Sequence, residues 1–453
     1  MERSYYTVVT EGKNGELIAF NTLLGSLALL DAEAAEELVA GEGSCVQQLA
    51  DAGFMLEHAD DEIDLQRVHF QKDIHATDTF GMVLAPGYAC NFACPYCYQQ
   101  GLHKTGKMTQ EMLERIMKLV EAYYERDHFE NFYLGWYGGE PLLYLDVIEA
   151  FSQMILPFCD ERGISTRMDL ISNTSLATPE VARRLAECRV DFAMCTFEGM
   201  RDMQNARRLS RNGEDTFESV LQGMENFRDA GIKAMVMANL DKNNASDLDD
   251  LQELFAEKGF EFNYDMLKDY YNDYALGGHT CPGIDLFTED EYAKFSHDRF
   301  LKEVPQQAQT FAGMFTPVRN YCRRYLENYL VIDGEGDVYK CDGWMGHEDW
   351  KLFSVFDDVD VNNLRTSTYD PHDDPECATC RVLPLCRGYC RWEREAMGFC
   401  SMFKRNTEDY VRDYRACFGD TGLAPGEQVK VLVAPRDIEA FYAVPMNSRG
   451  IMA

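Results

Sequence analysis

Residues 90–97 read Cys90-Asn-Phe-Ala-Cys94-Pro-Tyr-Cys97, three thiols within eight residues, following an apolar run from Phe80 to Ala85 that ends in Pro86-Gly87. Three cysteines this close do not pair off, because a disulfide takes two thiols at a set separation. They can converge on one soft metal centre, since thiolates favour iron–sulfur clusters or zinc. Three ligands leave one coordination position open, and an open position is where substrate or cofactor chemistry takes place. Two readings stand side by side: a catalytic iron–sulfur site, and a zinc site that draws its fourth ligand from elsewhere in the chain.

Around this stretch the chain alternates between strand and helix. Strand-like runs at Phe80–Ala85, Asn131–Tyr137, Thr166–Ser172, Asp191–Phe197 and Ala234–Leu240 are separated by helical patterns. One helix starts at Thr109 and repeats Met112, Ile116, Leu119 and Tyr123. Another starts at Thr178-Pro179, and a third carries Phe217, Val220, Leu221, Met224 and Phe227 on one face. Strands alternating with helices predict a parallel sheet, open or closed into a barrel, whose ligands gather at the carboxyl ends of the strands. The three cysteines lie just past the first such end.

The C-x3-C-x2-C spacing with Tyr96 before the last cysteine resembles the signature of the radical S-adenosylmethionine (SAM) superfamily. That resemblance implies a partial (β/α)6 TIM-like barrel, with Cys90, Cys94 and Cys97 holding a [4Fe–4S] cluster whose fourth iron chelates SAM. Other strand ends carry matching features. Gly138-Gly139-Glu140-Pro141 is similar to the family's GGEP element, which receives the SAM amino group. Ser172-Asn173-Thr174 is similar to its T-N-G element, with Thr174 where the family has glycine. Thr196-Phe197-Glu198-Gly199 is similar to S-I-D-G, and Arg208 matches the arginine that pairs with the SAM carboxylate. The resemblance thus implies SAM contacts at Tyr96, Gly138, Gly139, Glu140, Ser172, Asn173, Thr196 and Arg208.

A second cysteine territory spans residues 322–400. Cys322 is followed by Gly336 and Cys341, then by Cys377-x2-Cys380-x5-Cys386-x3-Cys390 and finally Cys400. Tight turns bring distant thiols together with little core, so metal binding adds stability to a region too small to fold well alone. Seven cysteines do not divide into two four-coordinate zinc sites. The pattern resembles the SPASM domain, which holds two auxiliary [4Fe–4S] clusters, three clusters in all. By that resemblance Cys377, Cys380, Cys386 and Cys400 bind one cluster fully. Cys322, Cys341 and Cys390 bind the other, leaving an iron open to a substrate thiolate or to a distant ligand such as Cys281; Cys417 is a weaker substitute for Cys400. Asp342 occupies the position that sulfatase maturases use as a base, with a structural hydrogen-bonding role as the alternative.

The 453 residues carry 77 acidic against 43 basic side chains, a formal charge of −34 that argues against nucleic acid. Neither an 18-residue apolar run nor a signal peptide's apolar region is evident, so a cytoplasmic protein that does not bind membranes is expected. Sixteen cysteines in such a setting argue for metal binding over disulfides. Of the scattered Cys45, Cys159, Cys188, Cys195, Cys281 and Cys417, most read as small buried hydrophobes. His279 reads as a surface loop residue.

The expected organisation is a small N-terminal α+β module over 1–78, the barrel over 79–290, a bridging segment over 291–320, the SPASM region over 321–420 and a tail over 421–453. In the module, strands Tyr5–Thr10 and Glu16–Phe20 flank Lys13-Asn14-Gly15, and helices follow at Ala32–Val39 and Ser44–Ala52. This module is similar in outline to the winged-helix, PqqD-like domain that binds leader peptides; a structural cap on the barrel is the other reading. In the tail, Gln428–Val433 reads as a strand.

The two resemblances together imply a maturase. A 5′-deoxyadenosyl radical takes hydrogen from a peptide substrate, a precursor with a leader, to install a thioether or related crosslink. A flavodoxin- or ferredoxin-type donor supplies low-potential electrons. The competing expectations are conversion of Cys or Ser to formylglycine and, in a different class, a non-catalytic metal-binding or electron-transfer protein.

Overall fold

The computed structural model describes residues 1–12, 15–57, 62–99, 102, 104–268, 284–299, 302, 322–367, 369–391, 393–394, 398, 400–419 and 422–436. Cys281, His279 and most of the 291–320 bridge lie outside them. The chain forms two compact units, one of Ala76–Thr288 with Glu327–Ser367, the other of Met1–His75, Glu289–Leu326 and Thr368–Ala453.

The first unit is built on a nine-stranded sheet. In chain order its elements are β1 (Thr79–Leu84), α1 (Gln110–Asp127), β2 (Asn131–Trp136), α2 (Leu145–Arg162), β3 (Ser165–Ser172), α3 (Pro179–Glu187), β4 (Val190–Thr196), α4 (Arg201–Arg207), α5 (Thr216–Asp229), β5 (Lys233–Leu240), α6 (Leu248–Lys258), β6 (Glu261–Met266), β7 (Tyr329–Ile332), β8 (Asp337–Tyr339) and β9 (Phe353–Ser354). The spatial order is β6-β5-β4-β3-β2-β1-β7-β8-β9. All pairs from β6 to β7 are parallel and the last two antiparallel. Leu84 pairs with both Trp136 and Ile332, and Trp136 with Leu170, so β1, β2 and β7 end level, β3 runs on to Ser172, and their outgoing loops share one edge.

Local chemistry explains the helices. Thr109 Oγ1 accepts from Met112 N–H to start α1, and His128 at φ 49° stops it. The Asp215 carboxylate accepts from the N–H groups of Phe217 and Glu218 at the start of α5. Phe217, Val220, Leu221, Met224 and Phe227 are all buried, each contributing about 1.5–3 kcal/mol on leaving water. In α1 the buried face is Leu113, Ile116, Met117, Val120 and Tyr123, one position round from the expected stripe; Met112 and Leu119 sit at its margin. The sequence pattern missed α2, which carries Pro157 in its interior, and β6, whose Glu-Phe-Asn-Tyr-Asp-Met does not alternate. Among the described residues, the stretch holding α2 is the one helix long and apolar enough to cross a membrane. Its Val147, Ile148, Phe151 and Ile155 pack in the core of this unit.

In the second unit, Thr7–Glu11, Leu17–Asn21, Leu27–Leu30 and Val429–Val433 form an antiparallel sheet. The tail segment therefore completes the N-terminal sheet, pairing Val429 with Leu30. One face (Ala19, Ala28, Leu30) packs with Leu38, Leu49 and Phe54, the other (Ile18, Phe20, Leu27, Leu29) with Tyr410, Val411 and Tyr414 of Met402–Ala416. The second predicted helix forms over Val46–Asp51. Strand Leu27–Leu30 and helix Glu62–Ile74 were not anticipated.

Candidate active site

The loop leaving β1 is tied by backbone contacts before its first cysteine. Gly139 N–H donates to Gly87 O (3.1 Å) and Glu140 N–H to Ala89 O (2.9 Å). A Cβ on Gly139 would lie 2.3 Å from Ala89 O, and one on Gly138, at φ +116°, 2.6 Å from Gly87 O. Both glycines are needed because two backbones touch here. Tyr144 Oη accepts from Ala89 N–H (3.0 Å).

The cysteine loop then pairs with the strip that follows α4. Ala93 N–H donates to Leu209 O (2.7 Å), Arg211 N–H to Asn91 O (3.0 Å) and Arg211 Nε to Cys90 O (3.0 Å). Phe92 and Ser210 form an antiparallel bridge between them. Asn173 Nδ2 donates to Asn91 Oδ1 (2.8 Å) and approaches Cys90 Sγ at 3.9 Å. No sequence signal marked residues 209–211.

Glu140 is fully buried, and both carboxylate oxygens are in use. They accept from Leu142 N–H (2.9 Å), Ser172 Oγ (2.8 Å) and Asn173 N–H (2.8 Å). Burial pushes this carboxyl up, against those three hydrogen bonds and Arg208. Glu140, Ser172 and the Asn173 backbone are thus joined to one another, stapling the ends of β2 and β3. Thr174 adopts φ 60°, the left-handed conformation glycine favours, and its hydroxyl donates to Val220 O (2.9 Å). Thr196 ends β4, half-buried.

Arg208 is the electrostatic hub. Burial pushes the Cys90 thiol up to about 11 and raises Cys94 too, and Arg208 opposes both shifts. Its Nη1 donates to Tyr96 Oη (3.2 Å), while its enclosed Nε has no hydrogen-bond partner. Behind it, Arg207 pairs with Glu198 (3.2 Å) and Asp241 (2.9 Å), both fully buried. Asp342 begins a short turn after β8; its carbonyl lies 3.4 Å from Tyr98 Oη, which is 2.7 Å from Tyr137 Oη. Cys341 Sγ is 3.9 Å from Asp342 Oδ1.

In the second unit, Cys377, Cys380 and Cys386 form a small cluster with Leu383. Burial pushes the Cys377 thiol up to about 12, and Cys380 and Cys400 add to the shift; burial likewise raises Cys386, with smaller contributions from Cys380, Cys377 and Cys400. Burial raises the Tyr325 hydroxyl, with smaller contributions from Cys322 and Cys390, and that hydroxyl donates to Tyr389 O (2.6 Å). Cys341 belongs to the other unit. Cys45, Cys159, Cys188 and Cys195 are buried as small hydrophobes, and every cysteine among the described residues is free of disulfides.

The model of the radical SAM superfamily matches residues 84–255, the stretch that holds the cysteine loop, Glu140 and Arg208. The chain carries a radical SAM domain and is an enzyme; its radical SAM relatives work with SAM and a [4Fe–4S] cluster. The chain is 23% identical over 332 residues to the cysteine-type anaerobic sulfatase-maturating enzyme of Clostridium perfringens strain 13, covering 68% of this chain and 87% of that one. It is 19% identical over 376 residues to the radical SAM cyclopropyl synthase TigE of Paramaledivibacter caminithermalis, covering 76% and 75%. A solved structure described as native anSMEcpe with bound AdoMet and Cp18Cys peptide superposes with a TM-score of 0.53 at 19% identity, covering 75% of this chain and 95% of that one. That likeness shows the fold.

The residues present fit such a cofactor pair in their chemistry. Three thiols outside any disulfide provide soft donors, and the unpartnered Arg208 Nε is a cation-borne donor suited to a carboxylate. Among the described residues no three His, Cys, Asp or Glu side chains stand gathered as a metal-binding group. The thiols share a loop and an electrostatic neighbourhood, and metal binding would draw them in.

Proposed function

We propose that the protein is a peptide or protein maturase that acts through radical SAM chemistry. Cys90, Cys94 and Cys97 would hold the first [4Fe–4S] cluster, which supplies the electron that splits SAM into methionine and a 5′-deoxyadenosyl radical. The observation that carries the reading is Arg208, its Nε enclosed and unpartnered beside the cysteine loop. Tyr96 orients that guanidinium, Arg208 receives the SAM carboxylate, and the Gly138-Gly139 backbone offers its polar groups to the amino end. Thr196 borders the same edge of the sheet. Glu140, Ser172 and Asn173 serve by holding the strand ends in register. A peptide would occupy the strand-end edge and give one hydrogen atom to the 5′-deoxyadenosyl radical, making 5′-deoxyadenosine; closing a thioether then releases the thiol proton and one electron, which an auxiliary cluster would accept.

Two auxiliary clusters belong to this proposal, one on Cys377, Cys380, Cys386 and Cys400, the other on Cys322, Cys341 and Cys390. In it the N-terminal module binds a leader, a flavodoxin- or ferredoxin-type protein donates electrons, and the enzyme works in the cytoplasm. Formylglycine formation is the second reading. Asp342 favours it, standing beside Cys341 next to the Tyr98–Tyr137 pair, together with relatives named as sulfatase-maturating enzymes.

Anaerobic reconstitution tests the proposal: about twelve irons per chain fit three [4Fe–4S] clusters, and zinc in their place would sink it. Cys94→Ala should abolish 5′-deoxyadenosine formation. Cys380→Ala should keep SAM cleavage yet block product. Incubation with a short cysteine-containing precursor or with a sulfatase peptide separates crosslinking from formylglycine formation by mass.

A further inference from the structure

Arg207 and Arg208 are neighbours in sequence with opposite surroundings. Arg208 faces the cysteine loop. Arg207 is buried, with Nη1 2.9 Å from Asp241 Oδ2 and Nη2 3.2 Å from Glu198 Oε2. Those carboxylates stand just past the ends of β4 and β5 and are themselves held in place. Glu198 Oε1 accepts from Asn239 Nδ2 (2.8 Å), the Glu198 backbone N–H donates to Gln204 Oε1 (2.8 Å), and its carbonyl accepts from Asn244 Nδ2 (2.7 Å). Asp241 Oδ1 accepts from the N–H groups of Asn243 (2.8 Å) and Asn244 (3.2 Å), and Asp241 Oδ2 from Asp285 N–H (3.3 Å).

Removing these charges from water is costly unless their geometry is fixed and their polar groups are satisfied. The two carboxylates are fixed by those bonds, whereas Arg207 Nε, Nη1 and Nη2 and Glu198 Oε2 make no aligned hydrogen bond, so Arg207 is held between them as an enclosed ion pair. This enclosed group reaches the cysteine loop in two ways. The Arg207 guanidinium carbon lies 5.4 Å from the centre of the Tyr96 ring, a cation–π contact, while Arg208 holds the Tyr96 hydroxyl. Immediately after the arginine pair, residues 209–211 run antiparallel to 91–93 through two backbone hydrogen bonds and the Phe92–Ser210 bridge. A shift of Arg207 would move the Tyr96 ring and the register of that strip together.

We propose that Arg207 is a positioning residue: bridged between Glu198 and Asp241, it fixes Tyr96 and the 208–211 strip, and through them the aim of Arg208 and the seat of the cysteine loop. It ties the loop to β4 and β5 on the far side of the sheet from the β1 and β2 contacts at Gly138-Gly139. This role rests on the assignment of Arg208 to the SAM carboxylate.

The test is Arg207→Lys in the anaerobically reconstituted full chain. Lysine keeps the charge but has neither the planar fork nor the broad face for Tyr96. Three quantities are measured: iron per chain, the urea midpoint, and SAM affinity from the change it induces in the electron paramagnetic resonance signal of the reduced protein. The expected result is iron and midpoint at wild-type values with SAM affinity about tenfold weaker, the scale of lost outer-shell support. Arg207→Met combined with Glu198→Gln removes one charge of each sign and guards against a folding failure; it should weaken SAM at least as much. SAM affinity within twofold of wild type in either folded variant overturns the proposal, as does a loss that only follows the unfolded fraction. A wild-type protein that neither binds nor cleaves SAM overturns the functional reading itself, and this inference with it.

Discussion

The two cysteine territories are supported in different ways. The Cys90–Cys97 loop leaves a central strand and is held by backbone hydrogen bonds to the β2 end and to the strip after α4, with two glycines packed to contact distance. Cys377–Cys390 rides on helices of only four residues, Pro375–Ala378 and Leu383–Cys386. It also carries Arg387 and Tyr389 at φ 49° and 55°, a conformation that costs a non-glycine residue about 1–3 kcal/mol. Helices that short do not stand alone. The first loop is shaped by the fold before any metal arrives, whereas the second depends much more on what its thiols bind.

Removing metal should show the largest effect. With iron stripped anaerobically, hydrogen exchange in 375–391 should accelerate by about 100-fold or more, while β1 to β5 stay protected. Equal protection loss in both regions would erase the distinction.

Gly139→Ala attacks the first region at its tightest point. The new Cβ would meet Ala89 O at 2.3 Å and Tyr88 O at 2.4 Å, backbone atoms that cannot turn aside. A cost of about 2–4 kcal/mol is expected. SAM cleavage should fall further than the folded fraction, because the displaced backbone leads directly into Cys90. A variant with wild-type stability and cleavage would show that the β2 contact does not shape the loop.

These contrasts track what could be read from the chain. Strand–helix alternation and the caps at Thr109 and Thr178 were visible, because local hydrophobic period and hydroxyl caps are sequence properties. So were the cysteine groups. Non-local support was not. Nothing near Leu209-Ser210-Arg211 announces a partner 118 residues back, and Arg207 looks like half of an unremarkable basic pair. The Val429–Val433 strand was legible, but its partner Leu27–Leu30 was not, since four consecutive buried apolar residues lack alternation. Thr174 gave an ambiguous signal, and the fold answered it by keeping the left-handed turn that the glycine would have allowed.

One support of the second region is preformed, and pH can isolate it. Asp370 takes part in an ion pair with Arg67 Nε (2.9 Å), accepts from Gln71 Nε2 (2.8 Å) and contacts His372 Nδ1 (2.7 Å), fastening helix Glu62–Ile74 to the segment before Cys377. Burial alone would raise this carboxyl, but the hydrogen bonds from His372 and Gln71 outweigh it and hold it down at about 2. A depressed folded value means the stabilisation is present above the unfolded pKa near 4 and fades as pH falls towards 2. Asp370→Asn should therefore cost about 2 kcal/mol at pH 7 in urea unfolding, with the gap to wild type closing between pH 4 and 2. A gap that does not change with pH would mean the carboxylate charge plays no part in the anchor.

The smallest effect expected is at Thr174, where the first region departs from the glycine its turn would favour. Thr174→Gly relieves a β-branched residue at φ 60°, worth about 1–2 kcal/mol. It also deletes the buried hydroxyl's bond to Val220 O (2.9 Å), worth about 1 kcal/mol. The backbone would not be free to relax far, because Gly223 of α5 already lies against Thr174 O, where a Cβ would come within 2.0 Å. The two terms oppose each other, so the urea midpoint should correspond to a change of less than about 1 kcal/mol, with SAM affinity within twofold. A loss above about 2 kcal/mol would show that the hydroxyl, rather than the surrounding packing, holds the turn, and the first loop would then rest on side-chain bonds as the second does.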